Sequence, residues 1–199
     1  MSPMGRLVAV VGPSGAGKDT LLDGARAALA GDARFRFVQR AITRPAEAGG
    51  EAHRNVTAAD FAAEQAAGGF ALDWTAHGLR YGIPRDMEAD LAAGRVVVAN
   101  LSRAVLTEAG ARYPLLVLEI TAPPAVLAAR LAARGREDAA AVGERLARAA
   151  PVPPGLAVRR IVNDGAVDAG VAQVVAALRE AARQKGFRGL AHTSCGPCP

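Results

Sequence analysis

The stretch Gly12 to Thr20, GPSGAGKDT, sets a lysine and a carboxylate side by side behind three glycines. Its spacing follows the phosphate-binding pattern G-x-x-x-x-G-K-[ST], except that Asp19 stands where the pattern has a hydroxyl. Gly12, Gly15 and Gly17 permit a turn that aims successive amide N–H groups at one anion, at the positive end of a helix starting near Lys18. Pro13, Ser14 and Ala16 complete the cradle, and Lys18 adds a mobile cation able to follow β- and γ-phosphates. The expected ligands are therefore a nucleoside triphosphate and Mg²⁺, with kinase, GTPase and transport ATPase all left open by the loop alone. In ordinary loops of this kind a hydroxyl coordinates the metal. Here Asp19 can do so through an oxygen, directly or across one water, or Thr20 supplies the hydroxyl while Asp19 only complements the helix dipole. Both readings stay open, and a carboxylate this close to polyphosphate oxygens predicts strict Mg²⁺ dependence under either.

Such a loop needs a strand before it and a helix behind it. The apolar run Leu7–Val11 precedes it, and Arg95–Asn100, Leu115–Ile120 and the shorter Val158–Val162 are similar runs that read as buried parallel strands. Between them lie alanine-rich segments too long for strands: Asp19–Ala30, Ala58–Ala67, Asp86–Ala93, Ala125–Arg134, Ala139–Ala150 and Val167–Arg183. The alternation predicts an α/β fold, a parallel sheet flanked by helices. At 199 residues, 51% of them hydrophobic, the chain can bury one core, and a single domain over residues 6–185 is expected. APVPPG, Ala150 to Gly155, reads as a loop because proline cannot continue a helix. Residues 186–199 are expected to be a disordered tail.

Composition excludes other classes. The formal charge is +5, but the arginines are dispersed and aromatics make up only 4%, so no stacking platform for nucleic acid is present. No apolar run approaches the roughly 20 residues of a membrane span, and the N-terminus lacks a cleavable signal pattern, which predicts a cytoplasmic protein with no membrane partner. The tail carries Cys195 and Cys198 in a C-x-x-C, yet it has no flanking strand and helix for redox chemistry, and His192 leaves a zinc site one ligand short. Two free thiols are expected there.

The middle of the chain narrows the class. RAITRPAEAGGEAHRNVTAADF, Arg40 to Phe61, then LDWTAHGLRYGIP, Leu72 to Pro84, resemble the acceptor-binding part of guanylate kinases. RLAARGREDAAAVGERLARA, Arg130 to Ala149, resembles their arginine-bearing lid, and IVNDG, Ile161 to Gly165, the segment near the adenine. The resemblance covers residues 6–183 in consistent order. It implies a P-loop NTPase fold with core segments 6–33, 95–130 and 151–185, an acceptor-binding region 34–94 and a lid 131–150. Departures cluster at the acceptor site. The second acceptor arginine falls near Glu47, a tyrosine contact becomes His53, the guanine-reading hydroxyl after Tyr-Gly becomes Ile83, and the acidic reader becomes Ser102. A site built to hydrogen-bond a base discriminates by about 10⁴ or more when those partners are lost, so guanine is a poor acceptor here.

With Asp19 in the loop, Arg44 in TRP, RYGIP and NLSR, the chain is similar to the ribose 1,5-bisphosphate phosphokinase branch of the guanylate-kinase relatives. That resemblance implies transfer of the γ-phosphoryl group of ATP to the 1-phosphate of ribose 1,5-bisphosphate, giving 5-phospho-α-D-ribose 1-diphosphate. It also implies site residues: Lys18 and Arg44 in catalysis with the lid residues Arg134 and Arg145, Asn163 near the nucleotide, and Arg44, His53, Asp73, Tyr81 and Ser102 around the acceptor. An acceptor phosphate has a second pKa of about 6, so no general base is required. A nucleoside monophosphate kinase and a non-catalytic binding module of the same fold are the alternatives, and either a monomer or a homodimer is expected.

Overall fold

The structure, a computed structural model, describes residues 4–44, 53–133 and 151–184. The expected lid residues Arg134 and Arg145, the segment Ala139–Ala150, Glu47 and the cysteine-bearing tail lie outside the described residues. Five strands, β1 (Arg6–Val11), β2 (Phe35–Phe37), β7 (Val96–Asn100), β8 (Leu115–Thr121) and β9 (Val158–Val162), form a parallel sheet in the order β2-β7-β1-β8-β9. The four strands read from the sequence are all in it, and β1 sits at its centre, buried along its whole length.

Side chains alternate across a strand, so each apolar run serves two cores. Val8, Val10, Val98, Leu118 and Ile120 face α1 (Lys18–Ala28) and α6 (Val167–Arg183). The two helices approach closely: a Cβ on Gly24 of α1 would lie 2.4 Å from Val171 of α6. The opposite face, with Leu7, Ala9, Val11, Val97, Ala99 and Val117, packs against α3 (Met87–Ala92), α4 (Leu106–Arg112) and a second sheet.

That second sheet has the order β4-β3-β6-β5, from β3 (Ala41–Ile42), β4 (Arg54–Asn55), β5 (Phe70–Ala76) and β6 (Leu79–Pro84). β5 and β6 form an antiparallel hairpin closed by His77 and Gly78, both at positive φ (52° and 72°), the pair of left-handed residues a tight hairpin turn requires. Residues 34–94, where the sequence pattern gives only two helices, thus also hold five short strands. One face of this sheet, with Ile42, Leu72, Trp74, Tyr81 and Ile83, joins the main core. The other, with Ala41 and Phe70, packs on Phe61 of α2 (Ala58–Ala66), whose first turn is capped by the Thr57 hydroxyl accepting from the Asp60 N–H. α5 (Pro124–Ala132) follows β8 and packs Leu127 and Leu131 against the core, leaving β9 as the outer strand of the parallel sheet. None of the described helices is long and apolar enough to cross a membrane.

Candidate active site

The phosphate loop joins β1 to α1 at the C-terminal edge of the parallel sheet, so the first helical residue is Lys18. Gly12, Gly15 and Gly17 have φ of 154°, 84° and 82°. Two of these glycines are also demanded by close approach. A Cβ on Gly12 would come within 2.0 Å of the Ile120 carbonyl oxygen, and one on Gly17 within 2.5 Å of Asn163 Nδ2. Asn163, at 5% exposure, donates from Nδ2 to the Ala16 carbonyl at 2.8 Å, and its own N–H donates to Thr121 O at 2.7 Å. Its side chain therefore lies beneath the loop and braces it. Arg130 of α5 donates to the Asn163 carbonyl at 2.9 Å, tying the helix after β8 to the same point.

Lys18 Nζ donates to the carbonyls of Gly12 and Pro13 at 2.8 and 3.0 Å, which curls the ammonium over the loop. Asp19 is half-buried and accepts a long hydrogen bond, 3.4 Å, from Asn100 Nδ2. Thr20 and Ser14 are exposed. A small hollow walled by Leu22, Phe37 and Val98 adjoins Asp19 and Asn100. Among the described residues, no group of three or more His, Cys, Asp or Glu side chains converges to hold a metal unaided. Mg²⁺ keeps several waters and binds through one or two carboxylates plus substrate phosphates. A single carboxylate at the loop mouth fits that donor set, and Asp19, facing the hollow, fits it better than the exposed Thr20.

The residues expected around the acceptor divide between two faces of the small sheet. Tyr81 pairs in register with Trp74, and their rings stack with centroids 5.3 Å apart at 4°. The Arg40 guanidinium carbon lies 5.2 Å from the Tyr81 ring centre and 5.8 Å from that of Trp74. Arg44 follows two residues beyond β3, placed by Thr43, whose N–H donates to the Arg80 carbonyl and whose hydroxyl accepts from the Arg80 N–H at 2.9 Å. His53 is half-buried just before β4. Asp73 pairs with Gly82 and lies on the other face, accepting from Gln65 of α2 at 2.7 Å. Strand alternation thus separates Asp73 from Tyr81. Ser102 accepts from the Ala104 N–H at 3.3 Å and so caps the turn that follows β7. Ile83 is fully buried.

Next to Glu119 of β8, Arg103 and Arg160 donate at 3.1 and 2.9 Å. Burial pushes the Glu119 carboxyl up, but the hydrogen bonds from Arg160 and Arg103 outweigh it and hold it below the ordinary glutamate range. A broad cleft of about 670 Å³ opens farther along β2 between α1 and the small sheet. It is rich in arginine, yet Arg36 is ion-paired to Asp86 and Asp90, and Arg54 to Glu64. The loop around Lys18, with Asp19, Asn100 and Asn163 in contact with it, stands apart from this ion-paired cleft.

No protein-family model matches the chain. The chain is 51% identical over 185 residues, 92% of its length, to the bifunctional ribose 1,5-bisphosphokinase-thymidine phosphorylase of Cupriavidus necator, but spans only 30% of that relative. Against ribose 1,5-bisphosphate phosphokinase PhnN of Brucella melitensis it is 48% identical over 183 residues, covering 91% of the chain and 95% of the relative. The chain belongs to the ribose 1,5-bisphosphate phosphokinase family. Among solved structures, guanylate kinase from Anaplasma phagocytophilum superposes with a TM-score of 0.65 over 90% of this chain and 87% of that one, at 16% identity. That likeness establishes the fold alone.

Within this family member, three residues that sequence reasoning did not assign touch candidate site residues: Arg40 over the Trp74–Tyr81 pair, Asn100 on Asp19, and Arg130 on the Asn163 carbonyl. Arg40 opens the quoted RAITRP stretch and Asn100 opens NLSR, so both were visible beside assigned residues. Their contacts join positions 81 and 41 residues apart in sequence, which no local pattern encodes.

Proposed function

We propose that the chain catalyses Mg²⁺-dependent transfer of the γ-phosphoryl group of ATP to the 1-phosphate of ribose 1,5-bisphosphate, giving 5-phospho-α-D-ribose 1-diphosphate and ADP. The observation that carries this reading is the acceptor face: a stacked Trp74–Tyr81 pair covered by Arg40, beside a fully buried Ile83. A base-reading kinase needs hydrogen-bonding groups and an open slot at this face. Here the rings are packed into the core and the group that covers them is the Arg40 cation, which favours an anionic acceptor that is mostly phosphate. The relatives' names point to the same acceptor class.

An oxygen of the acceptor 1-phosphate attacks the γ-phosphorus, and the bond from that phosphorus to the β–γ bridging oxygen breaks, leaving ADP. The acceptor is largely a dianion at neutral pH, its second pKa being about 6, so no side chain has to remove a proton. The work of the site is alignment and charge neutralisation. The loop N–H groups and Lys18 hold the β- and γ-phosphates, and Asn163 keeps the loop in shape. Arg44 and Arg40, which bracket β3, draw the acceptor in, with His53 and Tyr81 at its border. When bound at Asp19, Mg²⁺ supplies neutralisation of the polyphosphate charge. Arg134 and Arg145 are proposed to add charge over the transferring group.

The test is ADP release from Mg²⁺-ATP in parallel reactions with ribose 1,5-bisphosphate, GMP, AMP and no acceptor, with the product followed by phosphorus NMR. Turnover confined to the sugar bisphosphate, with a new diphosphate signal, is expected. Faster turnover with GMP would overturn the acceptor assignment, and silence in every reaction would overturn catalysis itself.

A further inference from the structure

Asn100 is the last residue of β7, the strand hydrogen-bonded to β1 on the side of β2. Its Cα pairs with Val10, and the next residue, Leu101, donates its N–H to the Val10 carbonyl at 3.0 Å. The Asn100 side chain thus stands level with the point where the chain leaves β1 for the phosphate loop. From there its Nδ2 donates to Asp19 Oδ1, 3.4 Å away, both side chains lining a hollow shared with Leu22, Asp23, Arg26, Phe37 and Val98.

In phosphate-loop enzymes the metal is held by a hydroxyl on the residue after the loop lysine together with an acidic side chain on a neighbouring strand. One member of that pair is neutral and one is negative. This chain has the same sum with the positions exchanged: the carboxylate is on the helix at Asp19 and the neutral amide is on the strand at Asn100. We infer that Asn100 is a positioning residue for Asp19, and that the two form the metal-facing pair of this site with its single negative charge moved from strand to helix. The inference rests on the proposed binding of Mg²⁺-ATP at the loop.

The chemistry of each side chain follows. The Asn100 amide donates to one Asp19 oxygen and so orients the carboxylate, leaving its second oxygen to take a metal ion or a metal-bound water. A carboxylate at position 100 would place two negative charges in contact, a like-charge pair that only a bound cation would relieve. An apolar residue there would leave Asp19 without its donor. Asn100 supplies the donor with no added charge.

The measurement is the affinity for ATP by isothermal titration calorimetry, with Mg²⁺ and then with EDTA, in the wild type and in Asp19→Ser, Asn100→Ala, Asn100→Asp and Asp19→Ser/Asn100→Asp. The quantity read is the ratio of the two dissociation constants, which needs no acceptor and no turnover. Asp19→Ser is expected to cut the Mg²⁺ enhancement by about 10- to 100-fold, the range seen when groups that hold or orient a metal ligand are removed. Asn100→Ala should cut it less while leaving the affinity in EDTA unchanged, a split that simple loss of strand stability would not produce. The double variant should recover most of the enhancement lost in Asp19→Ser. A double variant no better than Asp19→Ser, or an Asn100→Ala enhancement equal to wild type, would overturn the inference. An absence of Mg²⁺ enhancement in the wild type would instead overturn the proposed reading of the loop itself, and the two failures are told apart by that first titration.

Discussion

The two sides of the site are built by opposite means. On the proposed donor side, recognition would rest on backbone: three glycines at positive φ, the Ile120 carbonyl pressed against Gly12, and a buried Asn163 amide under Ala16. On the proposed acceptor side it would rest on side chains carried by a small sheet, with Arg40 over Trp74 and Tyr81 and Arg44 two residues beyond β3. Backbone recognition of a phosphate leaves little freedom for substitution, since a single Cβ at Gly12 collides with a neighbouring strand. Side-chain recognition can be respecified without moving the strands that carry it. Such a division accords with a fold shared with a guanylate kinase at 16% identity.

The contrast can be broken most sharply at Lys18. Lys18→Met removes the loop cation and is expected to lower kcat by about 10²-fold or more, as loss of one preorganised charge-stabilising donor does, with acceptor affinity nearly unchanged in a binding assay. On the other side, Arg40→Ala and Arg44→Ala should each raise KM for the sugar bisphosphate by about 10-fold or more, since charge-assisted contacts to an anion contribute roughly 1.5–3 kcal/mol, while ATP affinity stays as in the wild type. An equal loss of ATP affinity in those variants would erase the proposed division.

A smaller effect sharpens the donor half. Asn163→Ala leaves the Ala16 carbonyl without its buried donor and should cost about 1–3 kcal/mol, read as a lowered Tm and a raised KM for ATP with no change for the acceptor. The smallest expected effect is that of acid. Hydrogen bonds from Arg34 hold the Asp32 carboxyl down to about 2, and those from Arg160 and Arg103, against burial, keep Glu119 below its ordinary range. Groups with depressed folded pKa values stabilise above their unfolded values, about 4, and lose that contribution as pH falls through the folded ones. Tm should therefore be flat above about pH 5 and decline from about pH 4 towards 2, and Glu119→Gln should make the decline shallower. An unchanged slope in that variant would remove Glu119 from the account.

The sequence by itself determined the donor side. Glycine spacing after an apolar run fixes a strand, turn and helix within one local stretch, and β1, β7, β8 and β9 were legible because buried parallel strands are short continuous apolar runs. It also named Asn163 as a nucleotide neighbour, and the structure adds that the Asn163 amide is bonded to the Ala16 carbonyl of the loop. Tertiary structure alone decided what the acceptor side presents. β3 and β4 are two residues each, too short for any periodic signal, and β5 carries Asp73 between Leu72 and Trp74. Which of those side chains shares a face with Tyr81 depends on the pairing of β5 with β6, because a shift of one residue turns every side chain to the opposite face. The same long-range pairing of β7 with β1 brings Asn100 to Asp19. Local backbone geometry is written in neighbouring residues, whereas register is set by the packing of strands that meet only once the chain has folded.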